Sequence, residues 1–309
     1  MPLSGRLYLQ DELQVTTRLL FRLISLVAIL AAMGCTGGRR GVLKIADEIG
    51  RKELVRDASS LKESAGLLRE SDFVKRKLAR YSNEEIRRLY KAIGRITFYL
   101  PGNRRFVDFQ RNTLDELVRR DNVSEHDLRK MYKAYVGARL FDRAARLHED
   151  FPHVRFPFIP KVTPGIATAS AGSNNVFEVT DAGKTARLRG LDLAHGPRIV
   201  MVMWTGCAVS ERALDDILDD ARLRPLFRDH GVLLTQRFDS IGVHNWQERF
   251  DFSNVYVARD ANDFPDFDFL TSPHFYFLKD GKVVYDFDGW KENGGPDSHF
   301  LEGLAAAGL

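Results

Sequence analysis

One cysteine in this chain stands in a setting that suits thiol chemistry: Cys207, in the run Met201-Val202-Met203-Trp204-Thr205-Gly206-Cys207-Ala208-Val209-Ser210. An apolar strand ends at a tryptophan, a glycine bends the chain, and the cysteine opens a helix. Unpaired backbone N–H groups and the helix dipole favour a thiolate over a thiol at that position. A thiolate can attack a disulfide and form a mixed disulfide. Three residues on, where a dithiol protein has its second cysteine, stands Ser210. Its hydroxyl can hydrogen-bond the sulfur anion but cannot release a captured partner. The pattern predicts monothiol (C-x-x-S) thiol-disulfide exchange or thiol trapping. The competing readings are a buried cysteine acting as a small hydrophobe and a serine that is an ordinary first-turn helix residue.

The elements around this run follow a definite order. Phe177–Leu188 reads as a hairpin turning at Asp181-Ala182-Gly183-Lys184. The apolar strand leading to Trp204 comes next. Thr271-Ser272-Pro273 opens another strand, Lys279-Asp280-Gly281-Lys282 makes a tight turn, and Val283–Phe287 returns. This order resembles the extracytoplasmic, TlpA-type branch of the thioredoxin superfamily over roughly residues 175–309. The resemblance implies a thioredoxin-like α/β fold, a central mixed sheet flanked by helices. It also implies roles: Cys207 as the attacking cysteine, Ser210 at the resolving position, and Pro273 as a cis-proline beside the sulfur. Ser272 would then lie where an extended peptide can pair with its backbone. Trp204 is a candidate second substrate contact, against the reading that Trp204 and Phe238 are core. Expected partners are extracytoplasmic protein thiols or disulfides, with no cofactor. The family usually has tryptophan directly before the cysteine, where this chain has Gly206.

Other chemistries find little support. The eight histidines are scattered, without ligand spacing to Cys, Asp or Glu, so no metal is expected. His274 follows Pro273, but strand alternation can turn it towards or away from the sulfur. Asp260–Asp268, with Phe264, Phe267 and Phe269 interleaved, lacks the Gly and Glu of a calcium loop and reads as a solvated crossover. No phosphate-cradling loop or Ser/His/Asp hydrolase signature is visible.

The N-terminus suggests export. Arg18 and Arg22 precede the apolar run Leu23–Met33, which ends at Gly34-Cys35. Small residues before a cysteine resemble a bacterial lipoprotein processing site, with residues 1–34 as signal peptide and Cys35 as the lipidated residue. Ordinary cleavage after Gly34, an uncleaved anchor or a short amphipathic helix are the alternatives. The expectation is a membrane-anchored lipoprotein of the cell envelope, facing the periplasm or exterior.

Residues 35–162 hold 29 Lys and Arg against 18 Asp and Glu, whereas residues 163–309 hold 14 against 22. The basic half mixes signs within its helices, as at Glu84-Glu85 beside Arg87-Arg88, so it reads as a solvated helical surface and no nucleic-acid partner is expected. Helical periodicity runs through residues 41–150, with capping signals at Ser82-Asn83-Glu84-Glu85 and Ser124-Glu125-His126-Asp127. Residues 151–175 are rich in Pro, Ala and Ser and read as a linker. The expected organisation is α+β with two domains: an all-α domain over 35–150 and the thioredoxin-like domain over 176–309. The alternative function is a non-catalytic binding or assembly lipoprotein on a degenerate thioredoxin scaffold.

Overall fold

The structure is a computed structural model, and it describes residues 39–51, 58–165, 174–292 and 297–309. Cys35, the signal segment and the second half of the expected linker lie outside the described residues. Those residues form a mixed α/β protein with eleven α-helices and one eight-stranded mixed sheet. The chain divides into two compact units, Met1–Ala92 and Ile93–Leu309.

In the first unit, α1 (Arg39–Gly50), α2 (Ala58–Gly66) and the short α3 (Lys75–Leu78) lead into α4 (Asn83–Tyr99), which begins in this unit. Ile45, Ile49, Leu61 and Leu78 are buried on their helices. Leu68 and Phe73 are buried too, but they lie between α2 and α3 in a connection with one 3-10 turn, Glu70–Asp72, rather than on a helix. The start of α4 follows the expected capping box: Ser82 Oγ accepts from the Glu85 amide at 3.2 Å, and the Glu85 carboxylate accepts from the Ser82 amide at 2.7 Å.

The second unit opens with the end of α4 and continues through α5 (Arg104–Arg119), α6 (Glu125–Gly137) and α7 (Phe141–Asp150). Ser124 and Asp127 close the second expected capping box, at the start of α6. The strands are β1 (Lys161–Thr163), β2 (Asn175–Thr180), β3 (Thr185–Gly190), β4 (Pro197–Val202), β5 (Gly231–Thr235), β6 (Val255–Ala258), β7 (His274–Lys279) and β8 (Lys282–Asp288). Their order across the sheet is β1-β3-β2-β6-β5-β4-β7-β8. β4, β5 and β6 run parallel, and β7 pairs antiparallel with β4. Crossover helices α8 (Ala208–Asp219), α9 (Leu223–His230) and α10 (Ser240–Phe250) connect the parallel strands, and α11 (Ser298–Ala307) ends the chain. Ile199–Val202 and Leu233–Leu234 are fully buried, the continuous apolar runs of strands covered on both faces. The turn at Asp280-Gly281 has φ of 49° and 77°, the left-handed backbone that a two-residue hairpin needs.

Where it is described, the stretch read as a linker is tied down. The Tyr132 hydroxyl donates to Pro157 O at 2.7 Å, Phe156 stacks on Tyr132, Val154 is buried, and β1 pairs in parallel with β3. The corner between α6 and α7 is also bound to the sheet. Arg139 Nη2 donates to Gln236 O at 2.8 Å and to Ala258 O at 2.5 Å, and Phe141 meets Phe238 edge-on. Helices α5 to α7 thus share a unit with the sheet. The acidic crossover 260–268 is likewise less solvated than its charges suggest. Phe264 and Phe269 are buried in one apolar cluster with Val200, Val202 and Leu234, and Asp263 pairs with Arg259 at 2.6 Å. Among the described residues, no helix is long and apolar enough to cross a membrane.

Candidate functional site

The site forms where β4 ends beside the start of β7. Trp204, just past β4, is anchored at both ends: its amide donates to Ser272 Oγ at 2.9 Å and its indole Nε1 donates to Phe269 O at 3.1 Å. Gly206 has φ +80°, and the Cys207 amide closes the turn on Trp204 O at 3.0 Å. Cys207 is the N-cap residue of α8, with extended backbone, and its carbonyl accepts from the Glu211 amide at 2.9 Å. The sulfur is part-buried, so it is neither an enclosed hydrophobe nor a fully solvated thiol.

Two serines surround it. Ser210, in the first turn of α8, has no exposed surface, and its Oγ lies 2.9 Å from Ser272 Oγ. The Cys207 thiol points at Ser272 O, 3.6 Å away. The Ser272–Pro273 peptide is cis, as the resemblance implied, and Pro273 is buried at the start of β7. Cys207, Ser210, Ser272, Pro273 and Trp204 therefore converge as the sequence expected. Because the Trp204 amide already occupies Ser272 Oγ as donor, the Ser272 proton is left for Ser210 or the sulfur.

Burial pushes the Cys207 thiol upward, but hydrogen bonds to the sulfur outweigh it. They come from the Ser210 hydroxyl and amide, then the Ser272 hydroxyl and the Val209 amide, and the thiol lies below the ordinary value. The first turn of α8 thus supplies the N–H groups and Ser210 the hydroxyl that a thiolate needs.

Sequence reasoning passes over Arg237. Its guanidinium carbon lies 3.7 Å from the Trp204 ring centroid and 3.8 Å from that of Phe98. Burial pulls this guanidinium down to about 10, and the charges of Tyr99 and Cys207 act in the opposite direction. A signal existed: Arg237 sits just beyond the C-terminal end of β5, adjacent to β4, where side chains of open α/β sheets converge on sites.

His274 does not serve the sulfur. Its Nε2 pairs with Asp286 at 2.9 Å and its Nδ1 with the Tyr276 hydroxyl at 3.1 Å. Among the described residues, no group of three His, Cys, Asp or Glu is placed to hold a metal ion. No family model, no curated protein and no solved structure matches the chain.

Proposed function

We propose that the protein is a thioredoxin-like monothiol protein that exchanges with, or traps, thiols and disulfides of other proteins. The observation that carries this reading is the Cys207 sulfur at the N-cap of α8, part-buried against Ser272 O, with a buried serine where a resolving cysteine would stand. The strand leading into it and the antiparallel strand β7 that follows Pro273 support the thioredoxin-like reading of the C-terminal half. The extracytoplasmic station and the lipid anchor at Cys35 rest on the sequence alone.

The step balances without a cofactor. The Cys207 thiolate attacks one sulfur of a partner disulfide, the partner's S–S bond breaks as the new one forms, and the other sulfur leaves as a thiolate that takes a proton from water. Ser210 has no thiolate to displace the captured chain. Release needs a second thiol, which attacks the mixed disulfide and returns Cys207 to the thiolate.

Insulin reduction in the presence of a small dithiol tests this. Wild type should form a mixed disulfide through Cys207 and turn over slowly, whereas Ser210→Cys should gain reductase turnover. Fast wild-type turnover would show that Ser210 does not limit the cycle. An unreactive Cys207, with no turnover by Ser210→Cys, would favour the non-catalytic binding scaffold.

A further inference from the structure

The chemistry above leaves one half-buried cation at the site, Arg237, without a role. The rings of Phe98 and Trp204 meet at 70° with centroids 6.5 Å apart, and the Arg237 guanidinium lies in the angle between them. A cation is attracted to both ring faces in such a cradle. Its Nη2 is buried and has no hydrogen-bond partner, and no carboxylate among the described residues pairs with Arg237. A donor enclosed without a partner on a half-buried cation is costly, and a nearby anion offsets that cost. The side chains whose charge bears on it are Tyr99 and Cys207. The carboxylates nearest in sequence to the sulfur and to Arg237 are engaged elsewhere: Asp239 with Thr205 at 3.0 Å, and Glu211 with Arg249 at 2.7 Å.

We propose that Arg237 is a positioning residue of the Cys207 site, a fixed positive charge set against the sulfur anion and held there by Phe98 and Trp204. This rests on the thiol-exchange reading and deepens it. The backbone around Arg237 is fixed to match. Its amide donates to Thr235 Oγ1 at 3.2 Å, and the carbonyl of the preceding Gln236 accepts from Arg139. Phe98 and Arg139 both lie in the helical stretch of this unit, so that stretch builds part of the thiol site. The serine and amide hydrogen bonds lead in stabilising the thiolate, and no hydrogen bond joins Arg237 to the protonated sulfur. The contribution of the cation is therefore the smaller, about threefold in thiolate population.

The test is the pH profile of Cys207 alkylation by iodoacetamide in the full chain, alongside the ultraviolet absorbance of the thiolate. Arg237→Met should shift the midpoint upward and slow alkylation on the acidic side about threefold, while leaving the limiting rate at high pH unchanged. Arg237→Lys keeps the charge and should recover most of the wild-type profile. Phe98→Leu frees the cation to water and should fall between them. A structural role alone would lower the melting temperature in all three and leave the midpoint where it was. Superimposable profiles for wild type and Arg237→Met overturn the proposal, as does a shift in Arg237→Lys as large as in Arg237→Met. Should Arg237→Met fail to fold, an unmoved midpoint in Phe98→Leu overturns it equally. Alkylation needs no protein partner, so its outcome is separate from that of the exchange reading. A wild-type midpoint at the ordinary thiol value would sink the exchange reading itself.

Discussion

Removing one hydroxyl from the site should have a measurable and bounded effect. In Ser210→Ala the sulfur loses the hydrogen bond that leads those lowering its pKa, while the backbone amides of residues 209 and 210 and the Ser272 hydroxyl remain. A hydrogen bond to a charged group contributes about 1.5–3 kcal/mol. The sulfur is part-exposed, so solvent replaces some of this, and about 1.4 kcal/mol is expected, about a tenfold change in thiolate population. Alkylation at a pH below the midpoint should slow about tenfold, converge on the wild-type rate at high pH, and retain a midpoint below that of a free thiol because the amides still act. Stability should respond with a definite sign. A thiol whose folded value lies below its unfolded value adds stability above the unfolded value, and that increment disappears as pH falls through the folded value. Ser210→Ala should flatten this alkaline rise, as read by urea unfolding across the same pH range. If its alkylation profile coincided with that of wild type, the serine would not be a donor to the sulfur and the electrostatic account of the site would fail.

Three further substitutions probe the frame. The Glu116 side chain is 2% exposed, receives hydrogen bonds from Arg119 and then Arg120, and is held at about 2, so its stabilisation is present above the ordinary carboxylate value and lost as pH falls towards 2. Glu116→Gln should cost about 1–2 kcal/mol at neutral pH, discounted because Arg119 is half exposed, and should lose part of the decline in stability on acidification; urea midpoints at neutral and acid pH decide it. A Cβ added at Gly303 on α11 would lie 2.3 Å from the buried Phe277 ring on β7, so Gly303→Ala should cost about 1–3 kcal/mol in thermal unfolding, and an unchanged melting temperature would mean that the helix is not seated there. Arg139→Met leaves two carbonyls at strand ends without their donor and should cost about 2 kcal/mol in urea unfolding, whereas a change within error would show that water replaces the arginine fully.

Much of the site was legible in the sequence because its signals are local. Gly206 before Cys207, Ser210 one turn on and Pro273 at a strand start each specify backbone geometry within a few residues. The capping boxes at Ser82 and Ser124 and the turn at Asp280-Gly281 are legible for the same reason. What escaped depends on distant contacts. β1 joins the sheet beside β3, yet three residues after a proline-rich stretch carry no periodicity to announce a strand. Phe264 and Phe269 sit in the core among aspartates, a pattern that composition reads as solvated. Arg237 and Phe98 lie far apart in sequence, and their meeting over Trp204 depends on long-range packing within the second unit, which no local rule encodes. Arginine is also the residue that sequence reasoning sends to the surface, and half-exposed Phe98 carries no core signature.

The hydrogen bonds around the Cys207 sulfur act in both directions of exchange. A sulfur that is comfortable as an anion departs as readily as it attacks, because lower-pKa thiols are better leaving groups. Under the proposed exchange reading, a chain captured on Cys207 would be held for a time set by the thiols around it. Where free thiols are scarce the bond lasts, and where they are abundant it is soon cut. The serine-lined sulfur would work as a clock that reads the surrounding thiol concentration, and Ser210 leaves the second hand to a molecule outside the chain.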